Sequence, residues 1–136
     1  MPASVLVDAG FLVALLAERD TNHRWAKTLA QQYPSPWQTC EAVISETFYL
    51  LGLSAAPAVA ELLSRGAIRA SFRFAESAEP VLSLMQKYAD VPMSFADACL
   101  VRMTELLPAP ILLTADADFR VYRRHSRQAV PCRLPK

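Results

Sequence analysis

Short apolar runs alternate with helix-like segments along the chain, and no other feature of the sequence limits its fold as strongly. The run SVLVDAG at residues 4–10 is followed by FLVALLAE, which carries helix formers at helical spacing. The run ILLTA at residues 111–115 follows another helical segment. Strands that are separated by one or two helices pair in parallel through right-handed crossovers. The sequence therefore predicts an α/β fold, a three-layer α/β sandwich around a parallel sheet.

Capping residues, proline and glycine mark the expected ends of the helices. Thr39 is predicted to cap a helix that Gly52 closes, and Ser54 with Pro57 opens another that Gly66 ends. The expected helices are FLVALLAE, a segment from Thr21 or Asn22 to just before Pro34, QTCEAVISETFYLLG, SAAPAVAELLSRG, ESAEPVLSLMQKYAD and SFADACLVRMTELL; the other expected strands are AIRASFRF and AVPCRLP.

The length and cysteine content restrict the class of protein. A chain of 136 residues suits one domain over residues 1–136 with a single core. No apolar stretch approaches the roughly 20 residues needed to span a bilayer, and no signal peptide is evident, so a cytoplasmic protein without membrane contact is expected. Cys40, Cys99 and Cys132 are odd in number and far apart, which predicts buried thiols and disfavours disulfides or a zinc knuckle.

Aspartates follow two of the expected strands directly. Asp8 follows the first strand, and Asp116 follows the strand at residues 111–115. Ligands bind outside the carboxyl ends of parallel strands, so both carboxylates would face one crevice if these strands are neighbours. The alternative is that each aspartate caps the next turn or helix. Asp118 is more expendable, because an N-cap for FRVYRR explains it well.

Glu46 interrupts an apolar stripe of its predicted helix. A buried carboxylate without a partner is costly, so this position needs an arginine, a lysine or a metal ion. A salt bridge at the rim of the core is the alternative to a functional role. On a helix of 3.6 residues per turn, the face centred on Glu46 also carries Thr39, Ala42, Val43, Tyr49, Leu50 and Leu53.

Asp97 has a strong structural explanation of its own. In SFAD, Ser94 is predicted to cap a helix whose third position is Asp97, where the helix dipole also favours a negative charge. A carboxylate in a first helical turn can also point into a central cleft. The capping role and a functional role are therefore compatible.

The four acids Asp8, Glu46, Asp97 and Asp116 come from separate elements, without histidine or cysteine at ligand spacing. Oxygen ligands alone favour a hard cation, Mg²⁺ or Mn²⁺, over zinc. Two carboxylates about 4 Å apart repel by about 4 kcal/mol at an effective dielectric constant of about 20, and a cation would relieve that repulsion. Such a site suits phosphodiester hydrolysis with one or two ions.

Positive charge follows Asp116 closely. Arg120, Arg123 and Arg124 are candidates for leading a nucleic-acid backbone to the acids; the alternative is a solvated basic surface. Thr114, two residues before Asp116, is a candidate for orienting a water or a phosphate. An ordinary strand residue is the alternative there.

Four motifs together resemble the signatures of PIN-domain ribonucleases, especially the VapC toxins of bacterial toxin–antitoxin pairs. They are VLVDAG, TCEAVISETFYLL, YADVPMSFADACLV and ILLTADADF, in the family's order and spacing. The resemblance runs from about Val5 to about Pro135. It implies a parallel five-stranded sheet flanked by helices, Mg²⁺- or Mn²⁺-dependent cleavage of RNA, homodimerisation, and neutralisation by a cognate antitoxin that occupies the cleft.

The resemblance also implies roles for individual residues. Asp8, Glu46, Asp97 and Asp116 match the family's metal-binding acidic quartet, with Asp118 as an accessory acid. The chain departs from many relatives at Ser94, where they carry another acid, and this leaves a second metal position in question.

Two other functional classes are alternatives to a metal-dependent ribonuclease. The first is a catalytically silent PIN-like module that binds RNA or protein and whose acids are structural. The second is a phosphoacceptor domain, which wants paired acids after the first strand and a lysine after a late one. The segments VDAGF and LTADADF supply neither.

Overall fold

The computed structural model describes residues 3–136. Its centre is a parallel five-stranded sheet with the strand order β3-β2-β1-β4-β7, flanked by helices, which confirms the predicted fold class. The strands of this sheet are β1 (Ser4–Val7), β2 (Trp37–Thr39), β3 (Ile68–Ala70), β4 (Pro110–Leu113) and β7 (Cys132–Arg133), and a separate antiparallel hairpin joins β5 (Arg123–Arg124) to β6 (Gln128–Ala129).

Six α-helices accompany the strands in the described part of the chain. They are α1 (Ala9–Leu16), α2 (His23–Gln32), α3 (Glu41–Leu51), α4 (Ala56–Ser64), α5 (Ala78–Lys87) and α6 (Phe95–Leu106). Gly52 ends α3 with a φ of 78°, a left-handed conformation that glycine adopts without a steric penalty. No helix within residues 3–136 has the length and apolar character needed to cross a membrane.

Strands β1 and β4 lie side by side at the middle of the sheet. Ser4 pairs with Pro110 and Val7 pairs with Leu113, so the two strands end at the same level. The residues that follow them therefore emerge at one edge of the sheet, at the carboxyl ends of the strands. This register is what brings Asp8 and the segment after β4 together.

Helix α1 begins earlier than its sequence pattern suggests. We predicted a helix from Phe11, but the first helical residue is Ala9, because the Asp8 side chain accepts a hydrogen bond from the Ala9 amide and caps the helix. Gly10 lies close to the segment after β4: a Cβ atom there would be 3.2 Å from the Ala115 Cβ. The glycine therefore lets the start of α1 approach the end of β4 closely.

The prediction that Thr39 caps α3 is wrong. Trp37–Thr39 forms strand β2, and the N-cap position belongs to Cys40. The Thr39 hydroxyl donates to the Val7 carbonyl at 2.8 Å, across to β1. Thr39 therefore joins the sheet instead of the helix.

The ends of two other elements also differ from prediction. Strand β3 covers only Ile68–Ala70 of the expected AIRASFRF, and a 3-10 turn at Phe74–Glu76 follows. Helix α4 begins after Ala55, not Ser54, with a proline in its first turn.

The buried side chains form one core, in which α1 is central. Phe11 is fully buried and makes edge-to-face contacts with Trp25 of α2 and Trp37 of β2, at centroid distances of 5.9 and 5.4 Å. Cys40 and Cys99 are buried as free thiols, as predicted, while Cys132 is half-buried. The apolar face of α1 thus packs inside the molecule, which anchors the helix that Asp8 caps.

Candidate active site

A cleft of about 430 Å³ opens at the carboxyl ends of β1 and β4. Five carboxylate side chains line it, and among residues 3–136 no lysine or arginine does. We call it the acidic cleft, and its lining residues are Asp8, Ala9, Gly10, Glu46, Leu50, Pro92, Ser94, Asp97, Ala115, Asp116 and Asp118. All four of the predicted principal acids therefore face the same space.

Asp8 lies at the bottom of the acidic cleft and is almost fully buried. Its Oδ1 accepts from the Ala9 amide at 2.7 Å, and its Oδ2 accepts from the Thr114 hydroxyl at 2.8 Å. Burial is the main cause that raises the pKa of Asp8 to about 7; the nearby carboxylates of Asp97 and Glu46 also raise it, and these two hydrogen bonds oppose the rise. The two hydrogen bonds therefore hold the Asp8 side chain in place, while burial and the nearby carboxylates disfavour its ionised form.

Thr114 connects two of the acids. Besides donating to Asp8, its hydroxyl accepts from the Asp116 amide at 3.0 Å, and the residue is fully buried. Thr114 thus orients an acid directly, in place of the water or phosphate that the sequence suggested.

Asp97 projects into the acidic cleft from the first turn of α6. The Ser94 hydroxyl accepts from the Asp97 amide at 3.0 Å, so the predicted cap of this helix is confirmed. The Asp97 carboxylate also accepts a hydrogen bond from the Tyr122 hydroxyl at 2.9 Å. Burial raises the pKa of Asp97, and repulsion from Asp116 adds to this, while hydrogen bonds from Tyr122 and Ser94 oppose it.

Asp116 is half-buried and caps the short 3-10 helix at residues Ala117–Arg120. Its Oδ1 accepts from the Asp118 amide at 2.9 Å. Asp118 lies inside this 3-10 helix, so it is not an N-cap for FRVYRR, as its alternative explanation held; the 3-10 helix ends at Arg120 and the chain continues into β5. Asp118 instead adds a further carboxylate to the acidic cleft.

Glu46 reaches the acidic cleft from α3, but its surroundings differ from those we predicted. Glu46 is exposed, and so are Tyr49 of α3 and Leu53, which the sequence placed on the same helical face but which lies just after the helix; they are 85% and 93% exposed. The stripe around Glu46 lies at the surface because the core side of α3 is formed by Val43 and Thr47. Glu46 has no ion pair or hydrogen bond within residues 3–136, so the predicted need for a buried partner does not arise.

The three candidate arginines lie outside the lining of the acidic cleft. The Arg123 guanidinium donates to the carbonyls of Arg120 and Tyr122, and Arg124 donates to the Thr104 carbonyl and to Gln128. Arg120 is exposed. Arg123 and Arg124 thus have structural contacts of their own, and their roles as RNA contacts stay a prediction.

Sequence reasoning missed Tyr122. This side chain is fully buried and bonded to Asp97, which lies 25 residues earlier in the chain. Nothing in the pattern of RVYRR signals such a contact. The sequence alone shows a tyrosine soon after an acidic motif, and it does not show that this tyrosine is buried.

The chemistry of the donors fits a hard divalent cation. The acidic cleft offers carboxylate and hydroxyl oxygens, and in the described part of the chain no basic side chain in its lining balances its charge. Within residues 3–136, no three His, Cys, Asp or Glu side chains are close enough to form a complete ligand group without the ion. Mutual repulsion keeps carboxylates apart in this way, and a cation would draw them together.

We expect metal-free protein to lose stability as the pH rises from about 4 to about 7. The folded protein binds more protons than the unfolded chain over this range, because the pKa of Asp8 is raised to about 7 on folding, and stability then falls with pH. Asp8→Asn removes the buried carboxylate, whose ionisation lowers the stability, and keeps an acceptor for the Ala9 amide. In EDTA at pH 8, its free energy of unfolding in urea should exceed that of the wild type by about 1.4 kcal/mol or more, which corresponds to a pKa change of one unit.

Asp20→Asn provides the matched control for this measurement. Asp20 Oδ1 accepts from the Asn22 amide at 2.8 Å, away from the acidic cleft. This variant should show no such gain. An Asp8→Asn protein that is less stable than the wild type at pH 8 without metal would contradict the account.

Comparison with known proteins adds two similarities. The sequence model of the family described as "PIN domain" matches residues 5–124. The crystal structure of Mycobacterium tuberculosis VapC20, described as a sarcin–ricin loop cleaving toxin, superposes with a TM-score of 0.73 at 27% sequence identity, covering 87% of this chain and 94% of that one. No curated protein sequence matches the chain.

Proposed function

Because this chain belongs to the PIN-domain family, we propose that it is an endoribonuclease that hydrolyses RNA phosphodiester bonds as the toxin of a toxin–antitoxin pair. The observation that carries the proposal is the acidic cleft, where five carboxylates meet at the carboxyl ends of the strands and no lysine or arginine of the described residues lines the space. The likeness to VapC20, an RNA-cleaving toxin of the same fold, supports the same activity.

We propose that Asp8, Glu46, Asp97 and Asp116 hold Mg²⁺ or Mn²⁺, with Asp118 as an accessory acid. A hard cation bound by carboxylates lowers the pKa of a bound water and neutralises charge on a phosphodiester oxygen. The donors available to it differ in mobility. Asp8 and Asp97 are fixed by buried hydrogen bonds, whereas Glu46 is exposed at the rim and free to adjust.

The residues around the acids prepare the site before any substrate binds. Thr114 joins Asp8 to the Asp116 amide, so the acids that follow β1 and β4 keep one relative position. The Ser94 hydroxyl is bonded to the Asp97 amide, so it acts as a helix cap in the place where many relatives carry an acid. Such preorganisation limits the reorganisation that the reaction requires.

Removal of divalent metal is expected to abolish RNA cleavage and to lower thermal stability. In EDTA no cation offsets the cost of ionising the buried Asp8, whose pKa is raised, or the repulsion among the clustered carboxylates. Cleavage of a structured RNA with an unpaired loop should stop in EDTA and return with added Mn²⁺ or Mg²⁺, and the melting temperature should rise with Mn²⁺ concentration.

The same measurement separates this proposal from a catalytically silent module. A binding module with structural acids would keep both its RNA binding and its melting temperature in EDTA. RNA cleavage that persists at full rate after exhaustive chelation would also rule out the metal-dependent mechanism.

We further propose a structured RNA substrate, a cognate antitoxin, homodimerisation and a cytoplasmic location. Exposed apolar side chains near the acidic cleft support a protein partner: Leu50 of α3 lines the cleft, and Tyr49 of α3 and Leu53, just after the helix, are exposed as well. Exposed apolar groups of this kind mark interaction surfaces. Co-expression with the product of a small neighbouring reading frame that has a DNA-binding N-terminus should yield a stable, inactive complex.

A further inference from the structure

We infer that Tyr122 is a positioning residue for Asp97, whose carboxylate it orients within the acidic cleft through a hydrogen bond from its buried hydroxyl. The inference rests on the proposed function, since it concerns how one of the proposed metal-binding acids is held. It assigns a role to a residue outside the acidic motifs.

The contact itself is direct and buried. The Tyr122 hydroxyl donates to Asp97 Oδ2 at 2.9 Å, and Tyr122 is fully buried. A phenol is protonated at neutral pH, so the Tyr122 hydroxyl is the donor in this contact. A donor on one oxygen fixes the plane of the carboxylate and leaves the other oxygen to the acidic cleft.

The ring of Tyr122 has little freedom to move. It contacts Phe119 and Tyr88 edge-to-face, each at a centroid distance of 5.2 Å. The Tyr88 hydroxyl accepts from the Arg123 amide at 3.0 Å, which ties down the next residue of the chain. The hydroxyl that reaches Asp97 is therefore placed by packing on both sides of its ring.

The position of Tyr122 in the chain links two of the acids. The segment that follows β4 begins with Asp116 and ends at Tyr122, and it closes on α6, where Asp97 lies. One short segment thus supplies one acid and supports another. A shift of this segment would move both carboxylates together.

A purely structural role is the competing explanation. Phenylalanine would fill the same apolar space between Phe119 and Tyr88, so the hydroxyl is not required for packing. A buried hydroxyl without an acceptor is unfavourable. In that explanation Asp97 only supplies the acceptor that the buried Tyr122 hydroxyl needs, and Tyr122 does not position Asp97. The two explanations differ in what loss of the hydroxyl does to metal binding.

The test is Mn²⁺ affinity of the full chain, measured by titration calorimetry. Loss of a group that supports a metal ligand typically weakens binding by 10- to 100-fold, so Tyr122→Phe should bind Mn²⁺ at least about tenfold more weakly than the wild type. The Mn²⁺ concentration for half-maximal RNA cleavage should rise by the same factor. Tyr33→Phe removes a tyrosine hydroxyl at the end of α2, outside the acidic cleft, and is the matched control; its affinity should stay within about twofold.

A double variant keeps the test decisive. If Tyr122 acts only through Asp97, then Tyr122→Phe should cause little further loss of Mn²⁺ affinity in an Asp97→Asn background. A folded Tyr122→Phe protein with wild-type affinity overturns the inference, and so does a full additional loss in that background. A wild type that neither binds Mn²⁺ nor cleaves RNA would instead overturn the proposed function first.

Discussion

Asp116→Asn is expected to abolish RNA cleavage while the protein stays folded. The loss should exceed about 100-fold, since removal of residues that only support a metal ligand already costs 10- to 100-fold. Asparagine keeps an Oδ1 acceptor for the Asp118 amide, so the 3-10 turn after β4 survives the change. Cleavage of a structured RNA at saturating Mn²⁺, together with the circular dichroism melting curve, measures both effects.

Asp20→Asn serves as the control for this variant too, because it makes the same change in another half-buried turn that the acidic cleft does not include. Its cleavage rate should stay within about twofold of the wild type. An Asp116→Asn protein that retains a tenth or more of wild-type activity would show that Asp116 has no direct part in the chemistry.

Phe11→Ala should cause a large loss of stability. Phe11 is fully buried between Trp25 and Trp37, and it anchors the helix that Asp8 caps. Truncation of such a phenylalanine leaves a cavity and costs about 3–5 kcal/mol. Urea unfolding of the metal-free protein measures the change in the free energy of unfolding.

Leu53→Ala is the comparison for a side chain outside the core. Leu53 is 93% exposed, so its truncation should change the free energy of unfolding by less than about 0.5 kcal/mol. A Phe11→Ala loss below about 1 kcal/mol would mean that α1 is held by other contacts.

The principal acids could be located from the sequence because strand ends are visible in it. Asp8 and Asp116 each follow an apolar run, and parallel strands bring such positions to one edge of the sheet. Their closeness still depended on β1 and β4 being neighbours, which the local pattern does not encode.

Other features were hidden because their signals were weak or depended on distant residues. Strand β2 has only three residues and is followed almost directly by α3, so the sequence pattern predicts most of it as the start of that helix. The β5–β6 hairpin was missed because its turn places His125 and Ser126 at positive φ, where glycine or asparagine normally marks the turn. The contact between Tyr122 and Asp97 spans 25 residues and exists only after the chain has folded.

Glu46 lies at the acidic cleft, as predicted, but it is exposed and not buried in an apolar stripe. Helical spacing placed it on one face with Tyr49 and Leu53, and it does reach the acidic cleft. The pattern could not tell that this face lies at the surface, because an apolar stripe that awaits a partner has the same spacing as one that packs in the core.

The location of bound Mn²⁺ tests the central claim most directly. Anomalous scattering from a crystal of the wild-type protein soaked in Mn²⁺ should show the ion in the acidic cleft, with oxygens of Asp8, Asp97 and Asp116 as ligands. The peak should disappear in Asp116→Asn crystals treated identically. Mn²⁺ bound only elsewhere, or an acidic cleft that stays empty at millimolar Mn²⁺, would contradict the claim that these acids share a divalent ion.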